Sequence, residues 1–401
     1  MNRCPYRALF TVLSSALTAR FVKRNLLMNN AIRSLFPAAE QYTYLNSAAV
    51  SPVPTTAIGA INVQLNDVAS NGSVNYQDWV DTKDRARDLL ARMLGVRKDQ
   101  VAFLRNTSDG VASIANGLNW RPGDNIVSFA GEFPANFYAW RRVRDEFGAE
   151  LRLCSEIDGR VNLEEMVSMI DVNTKVVAIS AVQYASGYRA DLERLGRAAR
   201  AVDALFCVDI IQALGAMPFD LPAQYVDAAY GASHKWLCGP EGCGIIYLSD
   251  RARERLRPTL VGWISVETPW DFVDREQPFK STALAWESGT GCSSLFYGLE
   301  QSLKLLYETG AERISTHLDE LSERLCDGMG GKEFEIVSSR RPGERSAIVC
   351  IRSTNGDPPG QISAELGNRR IVVSPRGDRV RIAPHFYNNE SDIDRLLEAL
   401  S

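Results

Sequence analysis

Between about Val101 and Leu248 the chain repeats one pattern, a short apolar run followed by a longer stretch mixing apolar and polar positions. The runs are "VAFL", "NIVSFA", "ELRLC", "KVVAISAV", "ALFCVDI", "DAAYGAS" and "GIIYL". They predict strands, and their near-continuous apolar character predicts strands covered on both faces. Between them, "SDGVASIANGL", "PANFYAWRRVRDEF", "NLEEMVSMI" and "RADLERLGRAARAV" carry apolar residues at roughly helical spacing. Strands joined by helical crossovers imply the α/β class with a mostly parallel sheet under helices.

From Leu295 onward the texture changes. "LFYGLEQSLKLLYETGAERISTHLDELSERLCDGM" predicts long helices, and "EFEIVSS", "SAIVCIRS", "IVVS" and "RVRIA" predict strands. "SDIDRLLEAL" closes the chain as a helix that Ser391 can cap. The expected division is an N-terminal extension and arm (1–40), a large domain (41–294) and a smaller α+β C-terminal domain (295–401). A ligand cleft between the two domains is the natural expectation.

Composition narrows the function classes. A chain of 401 residues with 45% hydrophobic and 23% charged content suits a soluble globular protein. Its net charge of −4 supplies no basic field for nucleic acid. The eight cysteines are scattered, and Cys238 and Cys243, spaced C-x4-C, have no second pair, while the chain holds three histidines. Neither a disulfide framework nor a structural zinc or multi-histidine metal site is expected. Before Glu40 the N-terminus is basic and free of acids, and its apolar run "ALFTVLSSAL" is too short to span a bilayer. Residues 1–28 read either as a targeting segment or as an extension upstream of a start at Met28. The expected setting is otherwise cytoplasmic, with no membrane partner.

The candidate chemistry centres on "YGASHKWLCGPEGCGIIYLS". Lys235 stands where one apolar run stops and another begins. Desolvation there lowers an amine's pKa and makes it nucleophilic toward a carbonyl; the plainer reading is a solvated surface lysine. Upstream, Asp209 ends "ALFCVD", where a carboxylate needs a cationic partner such as a protonated pyridine nitrogen, and Gln212 follows within reach of a ring hydroxyl. The plainer reading is that Asp209 caps a helix starting at Ile210. "RNTSDGVASIANGL" places Thr107 and Ser108 at a helix start, where hydroxyls and free amides suit a phosphate, unless they only cap the helix. Ser233 and His234 could add phosphate contacts.

"SFAGEFPANFYAW" presents Phe133 at a strand end, able to stack on a flat ring or simply to pack. "DRVRIAPHFYN" puts Arg381 on a late strand, as a two-point carboxylate clamp or a surface ion pair. The glycines of "GPEGCG" precede a strand instead of linking strand to helix, and they lack G-x-G-x-x-G spacing, so a dinucleotide site is rejected.

In this order the motifs resemble the class V aminotransferases, fold type I pyridoxal-phosphate enzymes that include cysteine desulfurase-like, kynureninase-like and isopenicillin N epimerase-like members. The resemblance covers roughly Tyr44 to Leu400. It rests on "YLNSAA", "NTSDG", "GEFPAN", "VDIIQ", "SHKWLCGPEGCG", "WESGT" and "RIAPHFYN". It implies pyridoxal 5'-phosphate as cofactor, Lys235 as the Schiff-base lysine, Asp209 as the pyridinium partner and Gln212 as the ring-hydroxyl contact. Thr107, Ser108, Ser233 and His234 match phosphate positions. Thr290 matches a residue given to a partner subunit's phosphate, which implies a homodimer. Arg381 matches the arginine for the substrate carboxylate, and Asn46 and Ala48 fall on the substrate side.

Three departures qualify the resemblance. Phe133 stands where many desulfurases have a histidine. Gly291 replaces a common proline. No cysteine occupies the loop before the late arginine, where desulfurases carry their nucleophile. The expected function is therefore amino transfer on an amino acid. The alternatives are a C–S lyase, desulfurase-like enzyme or epimerase on the same scaffold, or a binding protein that has lost turnover.

Overall fold

The computed structural model describes residues 30–401. The proposed targeting segment or misplaced start at 1–28 lies outside the described residues. At the centre is a seven-stranded sheet. Its strands are β1 (Val101–Leu104), β2 (Asn125–Phe129), β3 (Glu150–Cys154), β4 (Thr174–Ser180), β5 (Leu205–Asp209), β6 (Ala228–Ala232) and β7 (Gly244–Leu248). The spatial order is β1-β7-β6-β5-β4-β2-β3. β7 runs antiparallel to both its neighbours, whereas β6-β5, β5-β4, β4-β2 and β2-β3 pair in parallel.

The continuous apolar runs follow from this layering. Side chains alternate faces along a strand, so Leu205 and Cys207 enter one core with Ile126, Val176 and Ile246. Phe206 and Val208 enter the opposite core with Val127, Val177 and Ile245. Helices that cover the sheet include α3 (Thr107–Gly117), α4 (Ala135–Phe147) and α5 (Leu192–Ala201). Two further helices precede β1: α1 (Thr55–Asn71) and α2 (Tyr76–Leu94).

The long helical pattern after Leu295 resolves into α6 (Ser293–Thr309) and α7 (Ala311–Asp327). The break falls at Gly310, whose φ of 91° is open to glycine and strained for other residues. A four-stranded antiparallel sheet follows, made of β8 (Phe334–Ile336), β9 (Val349–Ser353), β10 (Ser374–Arg376) and β11 (Arg379–Ile382), in the order β8-β9-β11-β10. It packs with α8 (Pro359–Asn368) and α9 (Glu390–Ala399) around Leu325, Ile351, Leu366, Ile382 and Leu396. Asn389, not Ser391, caps α9: its side chain accepts from Asp392 N, and Ser391 donates to Asn389 Oδ1. The helix starts two residues earlier than a Ser391 cap would give, and its first two residues, Glu390 and Ser391, face solvent.

The first and last parts of the described residues meet across this architecture. Thr43–Tyr44 pairs in parallel with Ile371–Val372, and Asn46 bridges to Ala383. Arg33 donates to Asp392 at 2.7 Å and to the Tyr387 carbonyl. Among the described residues no helix is long and apolar enough to cross a membrane.

One buried ionic cluster ties α2 to the sheet edge. Glu287 accepts from Lys83 at 2.6 Å, from Arg87 at 2.9 Å and from the backbone amide of Phe103 in β1 at 2.9 Å. Burial works to raise its pKa, but the two cations and the amide outweigh burial and hold it at about 2, below the ordinary 4.5. Glu287→Ala leaves buried Arg87 with Asp84 as its remaining partner, removes the carboxylate from partly exposed Lys83, and should cost about 3 kcal/mol of stability at neutral pH. Because the folded pKa is depressed, this contribution is complete above pH 4.5 and fades as pH falls toward 2. Urea unfolding of wild type and variant across that range should show the gap narrowing with acid, and a gap independent of pH contradicts the assignment.

Candidate active site

One edge of the seven-stranded sheet gathers nearly every predicted residue, because the parallel strands all end there. β1 runs out into Asn106, which caps α3 by accepting from Asp109 N at 2.9 Å. Thr107 and Ser108 are thus not the cap; they occupy the first two helical positions. The Thr107 hydroxyl is buried without a partner, and Ser108 is exposed. An orphaned hydroxyl beside the free first-turn amides of a helix is a cradle for an anion. Gly244 makes this packing possible, since a Cβ there would lie 2.4 Å from the Asn106 nitrogen.

β5 ends at Asp209, which is 1% exposed. The chain then makes a turn and no helix forms at Ile210; Asp209 Oδ1 accepts from Ile211 N at 2.9 Å. No side-chain cation among the described residues forms an ion pair with it. Burial pushes its pKa up to about 7; the Ile211 amide opposes this, buried Glu132 adds to it, and Lys235 pulls back.

Lys235 follows β6 and is 8% exposed. Burial drives its amine down to about 8, Asp209 acts to raise it, and the positive charges of Arg381 and Arg376 depress it further. Its Nζ sits 5.4 Å from the centre of the Phe133 ring. Phe133 is 42% exposed and meets Tyr184 edge-on at 5.1 Å, so it stands at the mouth of the site and is not core.

Gln212 is held at both ends of its amide. Nε2 donates to the Ala48 carbonyl and Oε1 accepts from Trp236 Nε1, each at 2.9 Å. One amide hydrogen is left for a further acceptor. Ala48 is buried, and the Asn46 side-chain oxygen is buried without a partner. Ser47 donates its backbone amide to Ala383 O and shares a hydroxyl contact with Tyr387 at 2.8 Å. The "YLNSAA" and "RIAPHFYN" motifs are therefore one local structure.

Arg381 on β11 is 1% exposed. Nη1 donates to the Tyr184 carbonyl at 3.0 Å, while Nε and Nη2 are buried without partners. Burial lowers its pKa to about 10, and Arg376 lowers it further. A guanidinium held in this state awaits a planar anion.

Two predicted residues fall elsewhere. Ser233 is fully buried, and its hydroxyl donates to the Pro240 carbonyl, because the turn closed by Gly239 N on Ser233 O rolls it inward. The expected phosphate contact from its proton is thereby corrected; His234 beside it stays half-buried, its pKa lowered by burial and by Lys235. Thr290 is exposed and lines a separate cavity of about 410 Å³ with Tyr76, Trp79, Lys83, Trp263 and Trp270. This chain's own fold does not bring Thr290 to Lys235's pocket.

The sequence reading missed Glu132. It is 6% exposed and accepts from Ser180 N, Ser180 Oγ, Gln183 Nε2 and Asn136 Nδ2. Burial raises its pKa, and these hydrogen bonds only partly offset that. Asn136 in turn accepts from Tyr230 OH at 2.6 Å. The usable signal was a carboxylate just past an apolar strand, the same one that flagged Asp209. His385 was also unassigned; it is fully buried and its Nε2 meets the Trp236 carbonyl at 2.9 Å.

A buried amine, an unpaired strand-end carboxylate, an open anion cradle and an unsatisfied guanidinium fit pyridoxal phosphate with an amino-acid substrate. Lys235 would hold the aldehyde carbon, Asp209 the ring nitrogen, and Thr107 with the α3 amides the phosphate.

Comparisons with known proteins agree. The chain is 23% identical over 369 residues to the uncharacterized aminotransferase YcbU of Bacillus subtilis, covering 92% of this chain and 96% of that one. It is 26% identical over 395 residues to a probable cysteine desulfurase of Methanothermobacter thermautotrophicus, with 92% and 96% covered. A variant of C-DES, solved with glycine covalently linked to its PLP cofactor, superposes with a TM-score of 0.84 at 22% identity over 92% of this chain and 98% of that one. The Aminotransferase class-V family profile matches residues 43–396. The chain belongs to the class V aminotransferase family, pyridoxal-phosphate enzymes of fold type I.

Proposed function

We propose that the chain is a pyridoxal-phosphate-dependent aminotransferase of a homodimer, acting on an amino-acid substrate. The observation that carries the reading is Arg381, buried with its Nε and Nη2 unsatisfied, near an amine and a carboxylate whose charges burial suppresses and each partly restores in the other. When bound, pyridoxal phosphate supplies an aldehyde for the substrate's amino group and an electron-accepting ring. The chain's residues do the rest. Asp209 holds a proton on the ring nitrogen side. Arg381 fixes the substrate carboxylate and so orients Cα–H toward the amine. Lys235 Nζ, once free, takes that proton and returns it at another atom. Phe133 and Tyr184 wall off water.

Relatives include proteins named cysteine desulfurase, and C-DES is described as a cystine C–S lyase. A persulfide-forming desulfurase is disfavoured. The β10–β11 hairpin turns through Gly377 and Asp378 alone and carries no cysteine. Cys350, opposite Arg381 in the sheet, is buried; its thiol points at the Ala185 carbonyl, and burial pushes its pKa up to about 11. That is no nucleophile. C–S lysis and epimerisation need no such cysteine and remain the competing outcomes on this scaffold.

Support for the dimer is the exposed aromatic cluster of Trp263, Trp270 and Phe272 beside Thr290. Light scattering should give twice the chain mass. Thr290→Ala should weaken cofactor affinity severalfold with little change in fold, and a monomer with full cofactor affinity contradicts the arrangement.

Capture of the cofactor by apoprotein needs neutral Lys235, so its rate should rise with pH through about 8. Removing a neighbouring positive charge in Arg381→Gln should move that midpoint upward, and Lys235→Ala should develop no visible absorbance band. A rate flat between pH 6.5 and 9 contradicts the assigned environment. To fix the reaction, holoenzyme is incubated with amino acids. Aminated cofactor and an oxo acid support amino transfer, whereas pyruvate with sulfide, or loss of optical purity, transfers the assignment to a lyase or an epimerase.

A further inference from the structure

The β10–β11 hairpin carries more positive charge than one substrate carboxylate requires. In its register Ser374 faces Arg381 and Arg376 faces Arg379, which puts Arg376, Arg379 and Arg381 on one face of the small sheet. Cys350, opposite Arg381 on β9, lies on that face too.

The three arginines differ in what they meet. Arg379 is neutralised by Asp378 at 2.9 Å and Glu156 at 3.4 Å. Arg381 is buried with two nitrogens, Nε and Nη2, lacking hydrogen-bond partners. Arg376 is half-buried, and its head rests on its own neighbour, the Pro375 carbonyl at 2.7 Å, with no carboxylate partner among the described residues. Its charge nevertheless acts on both Arg381 and the Lys235 amine, so it borders the same pocket. Around that pocket the acids are Asp209, committed to the sheet edge, and Glu132, saturated by Ser180, Gln183 and Asn136.

Two guanidiniums in a diagonal cross-strand relation have backbones roughly 7–8 Å apart, within reach of each other's ligands. Placing them together without an acid costs repulsion unless a ligand brings two negative groups. The phosphate of the cofactor would have its own cradle, the unpartnered Thr107 hydroxyl and the first-turn amides of α3, which belong to the large sheet's end and not to the hairpin.

We propose that Arg376 reads a second anionic group on the substrate side chain, so that the enzyme takes an acidic amino acid, a four- or five-carbon diacid or its sulfinate or sulfonate counterpart. This rests on the function proposed above, with Arg381 taking the α-carboxylate and Arg376 the distal anion.

The test uses holoenzyme and two non-reacting probes, succinate and butyrate, titrated while the bound cofactor's absorbance and the protein's melting temperature are followed. Wild type should bind succinate at least about tenfold tighter than butyrate. Arg376→Gln should abolish that preference, bringing succinate affinity down to that of butyrate; Arg376→Lys should restore part of it. Arg381→Gln should weaken both probes. Equal affinity of wild type for the two probes overturns the proposal, and so does a preference that survives in Arg376→Gln. Failure of the general reading shows differently, as purified protein that takes up no cofactor at all.

Discussion

Burying an amine and a carboxylate at the same sheet edge, close enough to influence each other but short of an ion pair, is the constraint on which the rest of this structure depends. Each group alone is costly in so apolar a setting. Desolvation pushes Asp209 up to about 7 and Lys235 down to about 8, and each charge partly restores the other. The pair therefore sits near neutrality, able to exchange partners when a ring nitrogen and an aldehyde arrive. A tight salt bridge at this place would be more stable and less useful, because both groups would already be spent.

Holding that pair apart requires rigid surroundings, and the chain supplies them from its two ends. Gln212 spans from Ala48 to Trp236, and Trp236 is gripped through its carbonyl by His385. Ser47 and Asn46 join Ala383 and Tyr387 in turn. Four segments far apart in sequence thus form a single hydrogen-bonded collar around the lysine turn. His385 illustrates the cost accepted for this: burial lowers its pKa to about 3, so it serves as a neutral hydrogen-bonding strut with no charge to offer.

Most strands were legible because they are apolar on both faces and end in a polar turn; "VAFL" and "GIIYL" coincide with β1 and β7, while the edge strand "ELRLC" coincides with β3 although it carries Glu150 and Arg152. Lys235, Asp209 and Thr107 stood out in the sequence as polar residues just at or past strand ends, and Arg381 as a charged residue within a late strand, positions where nothing local requires them. What escaped depends on side-chain direction. Ser233 reads like Thr107 in sequence, yet a turn rolls it inward onto Pro240. Asn106 rather than its hydroxyl neighbours caps α3, and Asn389 rather than Ser391 caps α9, since several adjacent residues could serve and only backbone geometry chooses. Glu132 escaped because its four hydrogen-bond donors come from β4, the segment after it and α4, none of which a linear reading joins.

The short hairpin between β10 and β11 brings these points together. A two-residue turn with Gly377 at a φ of 58° leaves no slack for a side chain to swing over the cofactor as an acceptor of sulfur. The same tightness fixes the register that sets Arg376 beside Arg381 on one face. A longer loop could host a mobile nucleophile but would not hold two guanidiniums in a set relation. On the proposed reading the turn length trades chemistry for selectivity: it offers no reacting group and presents a stationary charge instead. In a pocket where Lys235 and Asp209 are already poised, a stationary charge also acts on the base itself, because Arg376 helps to hold the Lys235 amine down.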